Sequence, residues 1–192
     1  MADIEVNAEW FPMRVTYQQE VRVKQFLDTL GVVNFLPMHH EIVIRNGKRH
    51  YESVPLIHNL IFLHSTQEAI TELKMHYAEL SPLRYIMKRP SVLGKHTHDS
   101  ILRVPQRQMD SFIRVASAEA DRVIFLDRCD FALPPSTKVK IINGEFTGVE
   151  GHVKRIQKNK RVVVQLDGLA AVAIAYVPME YLVYENDKQQ TI

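Results

Sequence analysis

A glycine-rich run between two alternating apolar segments limits what this chain can fold into. Residues 143–153 contain three glycines, Gly144, Gly148 and Gly151. The segments that begin at Val139 and Val153 alternate apolar and polar residues, which predicts a strand, a tight turn and a second strand. Glycine is needed where φ is positive or where two backbones come close together. We therefore predict that the three glycines are structural residues.

Further short strands are predicted downstream of the glycine-rich run. They cover residues 161–166, 172–177 and 181–183, with turns near Lys158-Asn159 and Asp167-Gly168. Short strands at this spacing are typical of a small barrel. We predict a compact β-barrel domain at residues 137–192.

The front of the chain has a different pattern, in which helices alternate with strands. A strand at residues 10–15 precedes a helix at about 18–30 with an apolar face that includes Val21 and Leu27; Gly31 ends this helix. Asn46-Gly47 between two alternating runs predicts a type I′ hairpin. The apolar run at 60–63 predicts a central strand, and helices are expected at about 66–80, beginning at the N-cap Thr66, and at about 105–118.

This order of elements predicts an α+β sandwich, with helices packed on a mostly antiparallel sheet. We assign residues 1–118 to this domain and residues 119–136 to a linker. Residues 123–126 within the linker are too apolar for free coil, and we expect them to dock on one of the two domains.

Composition excludes several classes of protein. The 192 residues carry a net charge of only +2 and no run of about twenty apolar residues that could span a bilayer. The amino terminus, Met1-Ala2-Asp3-Ile4-Glu5, is acidic where a signal peptide would be basic. The single cysteine, Cys129, suits a reducing compartment. We expect a cytoplasmic protein that makes no contact with membranes.

Two clusters of basic residues are local exceptions to the balanced charge. One lies on the predicted hairpin at 154–161 and the other on the Asn46-Gly47 hairpin. Their members are Lys154, Arg155, Lys158, Lys160 and Arg161, and Arg45, Lys48 and Arg49. Either cluster can bind nucleic acid, or can be a solvated loop that keeps an edge strand soluble.

No motif in the sequence indicates an enzyme. His39-His40 and His96-Thr97-His98 superficially suggest a metal site, but no HExxH or Cys/His zinc spacing accompanies them. No GxxxxGK[ST] phosphate loop or GxSxG elbow is present. We predict no catalytic residue, no metal and no cofactor, and expect the histidines to lie in solvated loops.

The residues described above carry a resemblance to a known family. The stretch 139–153 resembles the KOW motif, found in small SH3-like barrels. Residues before it resemble the NGN domain of NusG-type transcription elongation factors. The stretches that carry this second resemblance are Trp10-Phe11, Phe35-Leu36-Pro37-Met38, Asn46-Gly47-Lys48-Arg49 and Leu56-Ile57-His58-Asn59-Leu60-Ile61-Phe62-Leu63. The resemblance covers almost the whole chain in the family's domain order.

Within the family, the chain is similar to the specialised RfaH branch and more closely to UpxY-type regulators of capsular polysaccharide operons. The similarity lies in Phe35-Leu36-Pro37-Met38, in the short basic hairpin, and in Leu60-Ile61-Phe62-Leu63 followed by His64-Ser65. It implies an operon-specific antiterminator that binds RNA polymerase and suppresses pausing and termination.

The resemblance also implies where RNA polymerase binds. NGN domains bind the clamp helices of the polymerase's largest subunit, and the matching positions here are Ile57, His58, Asn59 and Leu60. Relatives often carry Phe and Tyr where this chain has Ile57 and Leu60. The alternative for these two residues is a place in the apolar core.

Nucleic acid is the second partner that we expect. Arg45, Lys48 and Arg49 on the hairpin, with Gln18 and Arg22 at the first helix, are candidate contacts to upstream or non-template DNA or to leader RNA.

The resemblance implies further partners for the KOW barrel. In this family they are ribosomal protein S10, a termination factor or RNA, and the cluster from Lys154 to Arg161 favours RNA. Runs of β-branched residues at 162–164 favour a stable barrel over refolding into helices. The alternative function is that of a ribosome- or RNA-associated KOW-domain protein, for which the long NGN-like front is not needed.

Overall fold

The chain folds into two compact units, each described here by itself. The computed structural model describes residues 7–88, 100–119, 121–126, 137–156, 158–166 and 169–185. The first unit comprises Met1–Pro37 with Pro55–Gln106, and the second comprises Met38–Val54 with Arg107–Ile192. The boundaries of the proposed linker, 119–136, stay a prediction.

The described residues form three α-helices and fourteen strands. The helices are α1 (Glu20–Thr29), α2 (Gln67–His76) and α3 (Gln106–Ala116). The strands are β1 (Glu9–Val15), β2 (Asn34–Phe35), β3 (Met38–Arg45), β4 (Lys48–Pro55), β5 (Leu60–Ser65), β6 (Leu83–Tyr85), β7 (Met87–Lys88), β8 (Ser100–Ile101), β9 (Val123–Phe125), β10 (Lys138–Ile141), β11 (Glu150–Ile156), β12 (Asn159–Leu166), β13 (Ala170–Ile174) and β14 (Leu182–Tyr184). No helix in these residues is both long and apolar enough to cross a membrane.

A four-stranded antiparallel sheet forms the first unit's core, with the strand order β2-β5-β1-β6. In the central pair, Phe11 lies opposite Leu63 and Met13 lies opposite Ile61. All four of these side chains are at most 1% exposed. The apolar run at 60–63 therefore forms a central strand, as its composition predicted.

Local signals set the ends of the helices in this unit. The Thr66 hydroxyl accepts a hydrogen bond of 3.1 Å from the backbone N–H of Ala69, so Thr66 is the predicted N-cap of α2. Gly31 follows the end of α1 with a φ of +68°. The predicted apolar face of α1 was partly wrong: Val23 and Leu27, one turn apart, are buried, whereas Val21 is 39% exposed.

Strands β3 and β4 form a separate two-stranded ribbon. Asn46 and Gly47 join them with φ values of +53° and +73°. Both positive angles are those that a type I′ turn requires, so the predicted hairpin is confirmed.

The predicted SH3-like barrel is not confirmed in the second unit. The unit contains a six-stranded antiparallel sheet in the order β14-β10-β11-β12-β13-β9, and within the described residues this sheet does not close. Strand β9 extends it: Phe125 lies opposite Val172, and Val123 lies opposite Ile174. Residues 123–126 thus dock on the second unit. The added strand β9 pairs with an edge of β13 that would have a different partner strand in a closed barrel.

The middle of this sheet buries side chains on both of its faces. Val163 in β12 packs with Leu126, Ala171 and Ala173. Its neighbours Val162 and Val164, which point to the opposite face, are each only 2% exposed. The β-branched run therefore forms a fully buried strand.

Helix α3 holds the turn of the glycine-rich run. The Ser111 hydroxyl, which is buried, accepts a 3.1 Å hydrogen bond from the Glu150 backbone N–H. The Arg114 guanidinium donates to the Thr147 carbonyl at 2.6 Å and to the Glu145 carbonyl at 2.9 Å. These bonds satisfy backbone groups of the turn that strand pairing leaves open.

Gly151 in β11 lies where two strands approach closely. A Cβ atom at this position would be 2.7 Å from the backbone oxygen of Val163 and 3.0 Å from Val162 Cγ1. Because the nearest atom belongs to a paired backbone, it cannot move aside cheaply. Gly144 and Gly148 instead have positive φ values, +84° and +90°.

We expect Gly151→Ala to lower the free energy of unfolding by about 2–3 kcal/mol, because the added methyl group overpacks the sheet. Gly148→Ala is the control: its Cβ would meet no atom within 4 Å, and only the positive φ opposes it, at about 1 kcal/mol. Urea denaturation of the two variants makes the comparison. Equal losses of stability would contradict the close approach as the reason for Gly151.

Candidate functional site

The 56–59 turn (Leu56, Ile57, His58 and Asn59) leads into the central strand β5 of the first unit. The Leu56 N–H donates a 2.8 Å hydrogen bond to the carbonyl of Pro37. Asn59 has a φ of +62°, in the left-handed region that asparagine tolerates better than most residues. Leu56 and Ile57 are half-buried, and His58 and Asn59 are exposed.

Both backbone groups of Asn59 are held by other elements of the same unit. Its carbonyl accepts a 3.1 Å hydrogen bond from the Val15 N–H, at the end of β1. Its N–H donates to the carboxylate of Glu20, the first residue of α1. Glu20 is only 2% exposed, and a carboxylate at a helix amino terminus is favoured by the helix dipole. The turn therefore has one defined backbone conformation.

Three of the four predicted polymerase-contact residues lie at the surface. Ile57, His58 and Asn59 belong to the turn, whereas Leu60 is 5% exposed and lies in β5 opposite Arg14. The Leu60 side chain therefore belongs to the core, which is the alternative that its sequence left open. Leu60 directly follows the turn and anchors its end in the core, and a partner cannot contact its side chain unless the strand moves.

Tyr17 is an exposed aromatic residue that sequence reasoning missed. It lies in the 3₁₀ turn Thr16–Gln18, two residues after Val15. Its side chain is 84% exposed, and its φ of +63° is unusual for a bulky residue. Such a conformation costs on the order of 1 kcal/mol, and residues held in this way are often functional. No local pattern indicates this exposure, because the left-handed backbone depends on how β1 connects to α1.

The predicted nucleic-acid contacts are all exposed, but they belong to different units. Gln18 and Arg22 lie in the first unit, and Arg45, Lys48 and Arg49 lie on the ribbon. An Arg45 guanidinium nitrogen lies 3.0 Å from a carboxylate oxygen of Glu52. This ion pair reduces the positive charge that Arg45 offers to a phosphate.

The predicted cluster of five basic residues on the β11–β12 hairpin is divided between two faces. Lys154 lies opposite Arg161, and Arg155 lies opposite Lys160, one residue further along each strand. Because successive side chains alternate between faces, these two pairs point in opposite directions. Each face of the hairpin therefore carries fewer basic residues than the spacing of the five residues in the sequence suggested.

Lys154 and Arg161 are engaged within the sheet. Lys154 is 7% exposed and its ammonium donates a 3.1 Å hydrogen bond to Gln165 Oε1; burial lowers its pKa. The Arg161 guanidinium donates to the carbonyl of Ala175. Of the five residues in this cluster, Arg155, Lys158 and Lys160 are exposed and present a basic surface.

The histidine pairs do not form a metal site in the part of the chain that is described. His39 and His40 lie in strand β3 and not in a loop, so the prediction of a solvated loop was wrong for them, and as adjacent residues of a strand their side chains alternate between faces. No group of three or more His, Cys, Asp or Glu side chains among the described residues is arranged to hold a metal ion. His96 and His98 lie outside the described residues.

Comparison with protein families matched a family model to residues of both units. The model of the family described as "Transcription termination factor nusG" matches residues 8–113, which is more than half of the chain. The matched residues include β1, the 56–59 turn and β5. A search of curated proteins found no match.

We expect Glu20→Ala to loosen the 56–59 turn, because the Asn59 N–H then loses its acceptor, the buried Glu20 carboxylate at the start of α1. The expected loss of stability is about 1–3 kcal/mol, with faster hydrogen exchange at the Asn59 amide. Glu20→Gln keeps a side-chain oxygen and should restore most of the protection. If Glu20→Ala leaves the exchange rate unchanged, the carboxylate does not hold the turn.

Proposed function

Because the chain belongs to the NusG family of transcription factors, which bind RNA polymerase, we propose that it is an operon-specific elongation factor of the antiterminator type. It binds the clamp helices of the largest polymerase subunit through the 56–59 turn. Its targets are capsular polysaccharide operons, where it suppresses pausing and termination.

The observation that carries this proposal is the fixed conformation of the 56–59 turn. Two hydrogen bonds hold Asn59 in place, and the turn presents Ile57 and His58 at the surface. A surface ordered before binding loses little conformational entropy when a partner docks. Tyr17, 84% exposed, adds an aromatic side chain of the kind that dominates binding interfaces.

The proposed activity needs no catalytic group. A factor that binds the elongating polymerase more tightly than the paused enzyme shifts their equilibrium by the difference in its two affinities. A difference of about 1.4 kcal/mol shifts that equilibrium tenfold. One aliphatic side chain such as Ile57, when it becomes buried in the complex with polymerase, can supply free energy of this size.

Contacts to nucleic acid position the factor in this proposal. The exposed side chains of Gln18 and Arg22, and of Arg45, Lys48 and Arg49, contact upstream or non-template DNA or leader RNA. Contacts to phosphates carry little sequence information. Recruitment to a particular operon therefore needs base contacts, for which Gln18 is a candidate.

The six-stranded sheet is proposed to bind a second partner. The glycine-rich turn and the strands that follow it carry the KOW resemblance, and Arg155, Lys158 and Lys160 offer an exposed basic surface. Ribosomal protein S10, a termination factor and RNA are the candidate partners. Lys154 is not part of this surface, because its side chain is buried.

We expect Ile57→Asp to weaken binding to purified RNA polymerase at least about tenfold, because a carboxylate replaces an aliphatic contact at the proposed interface. Met75→Asp is the matched control: Met75 is apolar and 74% exposed on α2 of the same unit. Binding of the two labelled variants is measured by titration with polymerase. Wild-type affinity for Ile57→Asp would rule out this docking surface.

Transcription reconstituted with purified polymerase tests the proposed activity. On a template with a capsular operon leader, the wild-type chain should increase read-through of pauses and terminators, and an unrelated leader should show a smaller effect. Co-sedimentation with ribosomes in the absence of polymerase, without any effect on elongation, would favour the ribosome-associated alternative.

We expect weak binding to duplex DNA that decreases steeply with salt. Replacing Lys48 and Arg45 with Gln should reduce the slope of log affinity against log salt by about 1–2. Each phosphate contact that is made releases about one counterion from the DNA, and the variant makes up to two contacts fewer. Lys88→Gln, at another exposed site, is the control. Tight binding that is insensitive to salt would contradict the proposed contacts.

A further inference from the structure

One face of the β3–β4 ribbon exposes large apolar side chains. Ile42 is 54% exposed, Ile44 is 70% exposed and Tyr51 is 79% exposed. Side chains of this size and exposure offer apolar area on the order of 400 Å², comparable with the largest patch on an ordinary monomer. Patches of this size on soluble proteins are often functional.

Strand alternation places these three side chains on the same face. The ion pair between Arg45 and Glu52 shows that these two residues share one face of the ribbon. Ile42 and Ile44 are an odd number of residues from Arg45, and Tyr51 is next to Glu52, so all three point to the opposite face. We call this opposite face the isoleucine face.

Charge also separates the two faces of the ribbon. The isoleucine face includes His40 and Arg49, both exposed, with Ser53 as the remaining polar residue. Among the side chains that the structure describes it contains no carboxylate, whereas the other face carries Glu52 with Arg45, Lys48 and His50. An apolar patch that carries an arginine and no described carboxylate fits an apolar surface that has an acidic border.

We propose that the isoleucine face is a second docking surface for RNA polymerase, distinct from the 56–59 turn. It contacts an apolar patch of the enzyme bordered by Asp or Glu side chains. This inference rests on the proposed function, since it takes polymerase as the partner.

A protein surface suits the isoleucine face better than nucleic acid does. Binding of single strands relies on aromatic side chains that stack on bases, and the isoleucine side chains cannot stack. Aliphatic side chains gain most when they enter an apolar pocket from which water is excluded. Tyr51 and Arg49 are residue types that are enriched where proteins bind each other most tightly.

The test compares two double variants of the full-length chain in binding to purified core RNA polymerase without nucleic acid. Ile44→Ser with Tyr51→Ser removes the apolar surface and adds no charge. We expect affinity to fall at least about tenfold. The control combines His50→Ser, on the opposite face of the same ribbon, with Met75→Ser, an exposed apolar residue of α2, and should stay within about twofold of wild type. All four side chains are exposed, and thermal melting verifies that both variants keep the fold.

Each other outcome overturns the inference in a distinguishable way. If Ile57→Asp loses affinity and the isoleucine-face variant keeps it, this inference fails and the proposed function stands. If the wild-type chain does not bind core polymerase, both fail. If the isoleucine-face variant keeps its affinity for polymerase and loses affinity for single-stranded or duplex oligonucleotides, the face binds nucleic acid instead.

Discussion

The first unit depends on the pairing between its two central strands, β1 and β5. Their register places Arg14 opposite Leu60, so β5 begins where β1 is about to end. The next residue in each direction, Val15 and Asn59, then joins the strands through a backbone hydrogen bond. A slip of one residue would exchange the side chains that β5 presents to its two buried faces and would also displace the 56–59 turn. The same pairing thus sets both the core and the candidate polymerase surface.

A different constraint shapes the second unit. At Gly151 the strands approach so closely that no side chain fits, while the buried run at 162–164 needs apolar neighbours on both faces. Strand β9 contributes to that cover, because Leu126 at its end packs against Val163. The sheet consequently includes a segment that the sequence suggested as a linker, and its strand order is open rather than that of the predicted barrel.

Features that depend on neighbouring residues were predicted well from the sequence. The Thr66 cap, the Asn46-Gly47 turn and the buried run at 60–63 follow from local hydrogen bonding, backbone angles and hydrophobicity. The contact between Glu20 and Asn59 joins residues 39 apart, and no local pattern indicates it. The sequence therefore indicated which segment carries the candidate site. It did not indicate which hydrogen bonds hold that segment or which of its side chains are exposed.

The sequence by itself determined the NusG family, the mixed α/β class and the segments that carry basic charge, because these follow from residue types and their spacing. Only the tertiary structure decided which of those residues are available to a partner. It buried Leu60 and Lys154, divided the basic cluster between two faces, and exposed Tyr17 and the isoleucine face. The physical reason is that exposure depends on strand register and on contacts between distant segments, and neither can be read from a single stretch of sequence.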